Sequence, residues 1–140
     1  MKKTLFLSLF MLLSLGMSAQ SSKSTETRRD AYGNIIGTVE TTTDSRGNQQ
    51  TVYKDKYGHI TGRSSTRADG KGRTTTTYRD PYGNMTGSST TRTNQKRTET
   101  IYKDRYGHIT GSSNSQTSGK TTTTTYKDRY GHVTGTSTTR

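Results

Sequence analysis

Aspartate and histidine, two residue types that can bind metals or transfer protons, recur together in this sequence at a fixed spacing. In three copies the histidine follows the aspartate by four residues: Asp55 and His59, Asp104 and His108, Asp128 and His132. A metal centre needs three or four converging ligands, whereas each copy offers two, and two further copies have Asn34 or Asn84 in place of histidine. Catalysis would need a pocket that a chain with so few apolar residues can hardly form. We therefore interpret each pair as a stabiliser of a turn and expect no catalytic residue, metal or cofactor.

These pairs belong to a phrase that occurs five times. The tyrosines at its centre are separated by 25, 25, 24 and 24 residues: Tyr32, Tyr57, Tyr82, Tyr106 and Tyr130. An aspartate precedes each tyrosine by two residues: Asp30, Asp55, Asp80, Asp104 and Asp128. A glycine follows each tyrosine directly: Gly33, Gly58, Gly83, Gly107 and Gly131. A second glycine comes four residues after the first: Gly37, Gly62, Gly87, Gly111 and Gly135. So regular a period predicts a repeat architecture.

Each phrase predicts the tip of a β-hairpin, which we call the signature turn. Aspartate is favoured at the first position of a type I turn because its carboxylate can accept backbone N–H groups of the turn. Proline is favoured at the second position, where Pro81, the only proline, lies. Glycine at the fourth position supplies the left-handed residue that closes a three-residue hairpin loop.

Between signature turns lie two strand-like runs rich in Thr, joined by a second and more variable turn at 44–48, 68–71, 93–96 and 117–120. The sequence thus predicts an all-β fold, an antiparallel β-hairpin repeat array of five units of 24–25 residues over 28–140, with nine or ten strands in a flat or curled meander sheet. The second turns are expected to hold the extra residue of the 25-residue units. A largely disordered chain is the alternative, since only 23% of the residues are hydrophobic and the net charge is +12.

The three-residue loop also predicts which residues pair across each hairpin. Lys127 should lie opposite Val133, Tyr126 opposite Thr134, and Thr124 opposite Thr136. Tyr126 would then share one face with Asp128, His132 and Thr134, while Gly135 would lie on the other face with Lys127, Val133 and Thr125. Keeping the tyrosines on one face would require a three-residue or bulged second turn in every unit.

Two sets of side chains are candidate binding residues. The first is a row of strand tyrosines: Tyr53, Tyr78, Tyr102 and Tyr126. They could form a stacking platform for sugar rings or bases, although packing as the hydrophobic face of the sheet is favoured. The second is a set of basic residues: Lys54, Arg79, Lys103, Arg105, Lys127 and Arg129. They suit contacts with anionic polysaccharide, lipopolysaccharide or extracellular DNA, or equally a solubilising charge that protects sheet edges.

The N-terminus has the pattern of a signal for export. Lys2 and Lys3 precede a short apolar run, and 1–19 ends in small residues suited to cleavage. Removing 1–19 takes both lysines with it and lowers the formal net charge from +12 to +10. The mature chain would hold no transmembrane segment and would lie in a periplasm, on the cell surface or outside the cell. Residues 20–27 are expected to be a flexible polar lead-in, followed by a first repeat in which Arg28 replaces the strand tyrosine.

The phrase Tyr-x-Asp-x-x-Gly-(His/Asn)-(Ile/Val/Met)-Thr resembles the YD repeats of Rhs-type bacterial surface and toxin proteins. It occupies 53–61, 78–86, 102–110 and 126–134. The resemblance implies hairpins in a long extracellular sheet and carries no catalytic residue. This chain departs from that family in having Lys or Arg before the aspartate, and five units are too few for a closed shell.

The sequence therefore predicts an exported repeat protein without enzymatic activity. We expect a structural or adhesive role, in which a basic sheet rich in Thr and Tyr binds anionic or glycan surfaces or self-associates through its edges. The alternative is a disordered secreted polycation that binds polyanions by charge alone.

Overall fold

A computed structural model describes residues 21–139, which form one antiparallel sheet of ten strands. The strands are β1 (Ser22–Arg29), β2 (Ile35–Thr43), β3 (Gln49–Asp55), β4 (Ile60–Ala68), β5 (Arg73–Arg79), β6 (Met85–Asn94), β7 (Arg97–Asp104), β8 (Ile109–Ser118), β9 (Thr121–Asp128) and β10 (Val133–Thr139). Each strand pairs with the next along the chain, so the sheet is an open meander. The predicted all-β hairpin array is confirmed, and the alternative of a largely disordered chain is wrong for these residues.

The first strand extends the sheet beyond the predicted start of the repeats. Residues 22–27 were expected to be part of a flexible lead-in, but they lie in β1 and pair with β2, where Thr27 is opposite Thr38. The segment has no apolar residue to mark it as a strand, and its order comes from backbone pairing with β2. The predicted export signal, 1–19, lies outside the described residues. In 21–139 there is no helix long and apolar enough to cross a membrane.

Five signature turns join the strands along one end of the sheet, and Asp104 shows their geometry. The Asp104 N–H donates to the His108 carbonyl at 2.9 Å, and the Gly107 N–H donates to the Asp104 carbonyl at 3.1 Å. Gly107 has φ +87°, in the left-handed region that favours glycine. The Asp104 Oδ1 accepts the N–H groups of Tyr106 and His108 at 2.8 and 2.9 Å. These are the bonds of a three-residue hairpin loop.

The glycine after the tip tyrosine has the same conformation in the four other signature turns. The φ angles are +85° at Gly33, +87° at Gly58, +91° at Gly83 and +89° at Gly131. The N–H groups of Gly33, Gly58, Gly83 and Gly131 each donate to the carbonyl of the turn aspartate at 3.1 Å. A Cβ atom built on any of them would meet no atom within 4 Å. The left-handed backbone, and not a lack of space, therefore explains why glycine recurs at this position.

The second turns differ between long and short units. The two 25-residue units close with three-residue loops, 45–47 and 70–72. The N–H groups of Asp44 and Asp69 close these loops by donating to the carbonyls of Asn48 and Arg73. The two 24-residue units close with two-residue loops, 95–96 and 119–120. The extra residue therefore lies in the second turn, as predicted. The prediction of a three-residue or bulged second turn in every unit is wrong for the shorter units.

A β-bulge after every signature turn explains why the shorter units do not need a three-residue second turn. Lys127 lies opposite Val133 as expected, but the register then shifts and Tyr126 lies opposite Gly135. The expected partners Thr134 for Tyr126 and Thr136 for Thr124 are therefore wrong, and Gly135 is on the tyrosine side. The same shift occurs in the four other signature hairpins. Because the bulge adds one residue before the second turn, a two-residue loop keeps the next tyrosine on the same face in a 24-residue unit.

The second glycine of the first four units, Gly37, Gly62, Gly87 and Gly111, permits close approach of two backbones next to this bulge. A Cβ atom built on Gly111 would lie 2.7 Å from the carbonyl oxygen of Lys127, and one on Gly87 would lie 2.7 Å from that of Lys103. Gly62 has a similar but looser contact, at 3.2 Å from the Arg79 carbonyl oxygen. A larger residue would push the neighbouring strand away, so steric fit explains the glycine at these positions.

We expect Gly111→Ala to destabilise the sheet by about 1–3 kcal/mol, the usual cost of forcing an extra methyl group into closely packed atoms. Gly135→Ala is the matched control, because a Cβ there meets no atom within 4 Å. The control should be neutral or stabilising by up to about 1 kcal/mol. Urea denaturation of both variants would measure the difference, and equal losses would show that close approach at Gly111 is not what glycine provides.

Candidate functional site

Alternation along the strands divides the sheet into two unlike faces. We call the side that carries Tyr53, Tyr78, Tyr102 and Tyr126 the tyrosine face, and the side that carries Lys54, Arg79, Lys103 and Lys127 the basic face. Residues paired across strands point to the same side, so the register assigns every strand residue to one face.

Positive charge is concentrated on the basic face. In the described strands every Lys and Arg except Arg28 lies there: Lys23, Arg29, Lys54, Arg63, Arg67, Arg73, Arg79, Arg92, Arg97, Lys103 and Lys127. Two acidic residues share this face, Glu40 and Glu99. Apart from Lys54 and Arg63, which are half-buried, these cations are exposed. The arrangement forms an exposed surface of one dominant sign.

Some of these cations also bond within the sheet. Lys54 Nζ lies 2.5 Å from Glu40 Oε1. Arg79 donates to the carbonyl of Gly83 in its own signature turn at 2.7 Å, and Arg63 donates to the carbonyl of Pro81 at 2.9 Å. Lys103 and Lys127 are exposed. Of the six predicted polyanion contacts, four lie on the basic face, while Arg105 and Arg129 lie instead on the signature turns.

The strand tyrosines are packed against small residues of the adjacent strand. The hydroxyl groups of Tyr53, Tyr78 and Tyr102 hydrogen-bond the hydroxyls of Ser64, Ser89 and Ser113 at 3.4, 3.2 and 3.4 Å. These three serines are only 4, 5 and 8% exposed. Burial raises the pKa of the Tyr78 hydroxyl above its ordinary 10.0; its bond to Ser89 opposes this shift, and nearby Tyr53 and Tyr102 add to it. The tyrosines predicted as a stacking platform are therefore half-buried parts of the fold.

The row continues into the first hairpin through a different side chain. Arg28, which replaces the tyrosine there, places its guanidinium 5.9 Å from the centre of the Tyr53 ring. A cation over an aromatic face is attracted by the quadrupole of the ring. The first unit thus extends the tyrosine row with a cation–π contact.

The exposed aromatic residues of the sheet are the tyrosines at the tips of the signature turns. Tyr32, Tyr57, Tyr82, Tyr106 and Tyr130 are 71 to 91% exposed. Their turn position accepts most residue types, so the backbone geometry does not require an aromatic ring. In the sequence these tyrosines mark the repeat, and an aromatic ring at a turn position that does not require one is the signal that singles them out.

The tips are of two kinds. Three carry a cation before the tyrosine and a histidine after it, and the other two carry Ala31 or Pro81 with asparagine. The cations lie over the tyrosine rings, with 4.9 Å from Lys56 Nζ to the Tyr57 centre and 4.8 Å from Arg129 Cζ to the Tyr130 centre. The histidine ring of the same tips lies 6.2 or 6.3 Å from the tyrosine ring. The signature turns at Tyr57, Tyr106 and Tyr130 therefore each present a cation, a phenol and an imidazole together.

The predicted turn residues all lie in the signature turns and act on the backbone. They are Asp30, Gly33, Asp55, Gly58, Asp80, Pro81, Gly83, Asp104, Gly107, Asp128 and Gly131. The aspartates accept hydrogen bonds from N–H groups of their own loops. Gly33, Gly58 and Gly131 have no side chain with which to contact a partner, and they adopt the left-handed backbone of the turn. These residues therefore position the tip tyrosines, and the carboxylates among them are used within the turns.

The Asp–His pairs are committed to the turns. In Asp128 one carboxylate oxygen accepts the N–H groups of Tyr130 and His132, and the other lies 3.2 Å from His132 Nδ1. Both oxygens are thus engaged within one loop. Across residues 21–139 no group of three potential metal-binding His, Asp or Glu residues converges.

These contacts favour the ionised carboxylates. At Asp80 the hydrogen bond from the Asn84 side chain holds the pKa below its ordinary 3.8, outweighing partial desolvation. At Asp104 desolvation alone would raise the pKa, but the N–H groups of His108 and Tyr106 together lower it below 3.8. A lowered pKa in the folded state means that the turn contributes stability above the unfolded pKa, and that this contribution is lost as the pH falls through the folded pKa.

No protein-family model, curated protein or solved structure matches this chain. The resemblance to YD repeats therefore stays a prediction.

Replacing Tyr102 and Tyr106 by alanine should separate the two kinds of tyrosine. Tyr102→Ala removes a half-buried ring and its contact with Ser113, so we expect a loss of about 1–2 kcal/mol in the free energy of unfolding. Tyr106 is 76% exposed, and its removal should change stability by no more than about 0.5 kcal/mol. Chemical denaturation measures both, and a larger loss for Tyr106→Ala would contradict the assignment of the two tyrosine rows.

Proposed function

We propose that this protein is a non-enzymatic binding protein whose basic face holds an extended anionic polymer. The observation that carries the proposal is the segregation of charge, with every described strand Lys and Arg except Arg28 on one side of the sheet. Net charge spread over both faces would serve solubility equally well. Its concentration on one face favours attraction to a partner of opposite sign.

The geometry of the face suits a repeating partner. Lys54, Arg79, Lys103 and Lys127 lie at equivalent positions on alternate strands, β3, β5, β7 and β9. Two strand spacings separate neighbours in this row, roughly 10 Å. A chain with anionic groups at regular intervals can contact several of these cations at once, and each contact releases counterions. Acidic polysaccharide, lipopolysaccharide and extracellular DNA share this chemistry.

The competing proposal is binding by charge alone, in which only the number of cations matters. In the structure these cations are held on a sheet rather than on a flexible chain. The two proposals therefore differ in whether the position of a cation affects its contribution to binding.

Two double variants of equal net charge make this comparison. Lys103→Gln with Lys127→Gln removes two exposed cations from the basic face, and Lys96→Gln with Lys120→Gln removes two from the second turns. With heparin as the probe polyanion, we expect the first double variant to bind about tenfold more weakly and its salt slope to fall by about 2. The second should remain close to the unaltered protein.

Isothermal titration calorimetry at several salt concentrations measures both quantities. Equal weakening by the two double variants would support binding by charge alone. Undiminished binding by the basic-face variant would contradict the proposed surface.

A further inference from the structure

The tyrosine face lacks the charge that a sheet face in water usually carries. On this side of β3 to β9 the strand residues are Tyr, Thr, Ser, Gly, Gln and Ala, together with Asp55, Asp104 and Asp128 at the turn ends. Those three carboxylates accept hydrogen bonds within their own turns. Charge is therefore absent from the centre of one face and abundant on the other.

The hydroxyl groups of this face are largely satisfied within the sheet. Cross-strand pairs join Thr41 to Thr51, Thr66 to Thr76, Thr91 to Thr100, Ser115 to Thr124 and Thr117 to Thr122, at 2.8 to 3.1 Å. Three of the strand tyrosines bond the serines described above. Burying polar groups costs little when they already have partners. The centre of the tyrosine face is thus uncharged, and most of its hydroxyl groups keep a hydrogen-bond partner when water leaves.

In residues 21–139 nothing covers this face. Each strand contacts only its neighbours in sequence, so the described sheet is a single layer. Stable domains are usually built from two packed layers around a common core. Here Val39 is the one apolar side chain of the described residues that is buried.

We propose that two copies of this protein pack tyrosine face to tyrosine face, forming a two-layer sandwich with both basic faces outward. Charge selects this partner and orientation, because two basic faces would repel each other whereas two tyrosine faces would not. The seven strands from β3 to β9, each about 4.8 Å wide, and seven residues of about 3.4 Å give this part of each face a footprint of roughly 800 Å². A standard protein–protein interface buries about 800 Å² on each partner. The face is therefore large enough for a stable dimer.

This packing is independent of polyanion binding, since it concerns the opposite face and is measured without ligand. If both hold, each dimer presents two basic faces to polyanions.

Adjacent threonines on β5 provide a matched test. Thr76 lies on the tyrosine face and Thr77 on the basic face, both half-buried on the same strand. Sedimentation velocity of the purified protein should give twice the mass of one chain, and Thr77→Lys should do the same. Thr76→Lys should give the mass of one chain, because it places an unpaired charge in the interface.

Far-UV circular dichroism shows whether each variant retains the sheet. If Thr76→Lys does not fold, the pair Thr124→Lys and Thr125→Lys on β9 makes the same comparison. A single-chain mass for the unaltered protein would overturn the proposal. A dimer that persists in the folded tyrosine-face variant, or is lost equally in the basic-face variant, would also overturn it.

Discussion

Every hairpin that a signature turn closes depends on an aspartate whose carboxylate accepts two backbone N–H groups of the loop that follows it. At Asp55 these come from Tyr57 and His59, and the same bonds recur at Asp80 and Asp128. The described sheet has almost no buried apolar core, so long-range packing cannot correct a misplaced turn. Local hydrogen bonds in five equivalent loops must therefore set the register of the strands.

The register in turn places two kinds of side chain on opposite faces of the sheet. The bulge after four of the five signature turns places a glycine opposite the strand tyrosine. At Gly87 and Gly111 the lack of a side chain lets the carbonyl of the next strand approach. The tyrosine hydroxyl then reaches a serine on the adjacent strand. Successive residues of a strand point to opposite sides of the sheet. The Lys or Arg that follows each strand tyrosine in the sequence therefore lies on the opposite face. Packing and charge are thus two results of one pairing pattern.

The turns and strands could be predicted from the sequence because their signals are local. Asp80, Pro81 and Gly83 each match a position of one turn type, and the Thr runs have the alternation and propensity of strands. The bulge could not be predicted in this way, because no turn residue marks the extra residue, which is visible only in how the adjacent strands pair. For the same reason Tyr126 was paired with the wrong residue. β1 could not be predicted because it contains no apolar residue that would mark it as a strand.

The bulged register of the strands is tested most directly in solution, by cross-strand nuclear Overhauser effects in NMR spectra. We expect contacts that place Tyr102 opposite Gly111 and Lys103 opposite Ile109, with Thr110 as the extra bulge residue. Contacts that place Tyr102 opposite Thr110 would contradict this register, because Gly111 would then move to the basic face. Absence of any cross-strand contact would contradict the sheet itself.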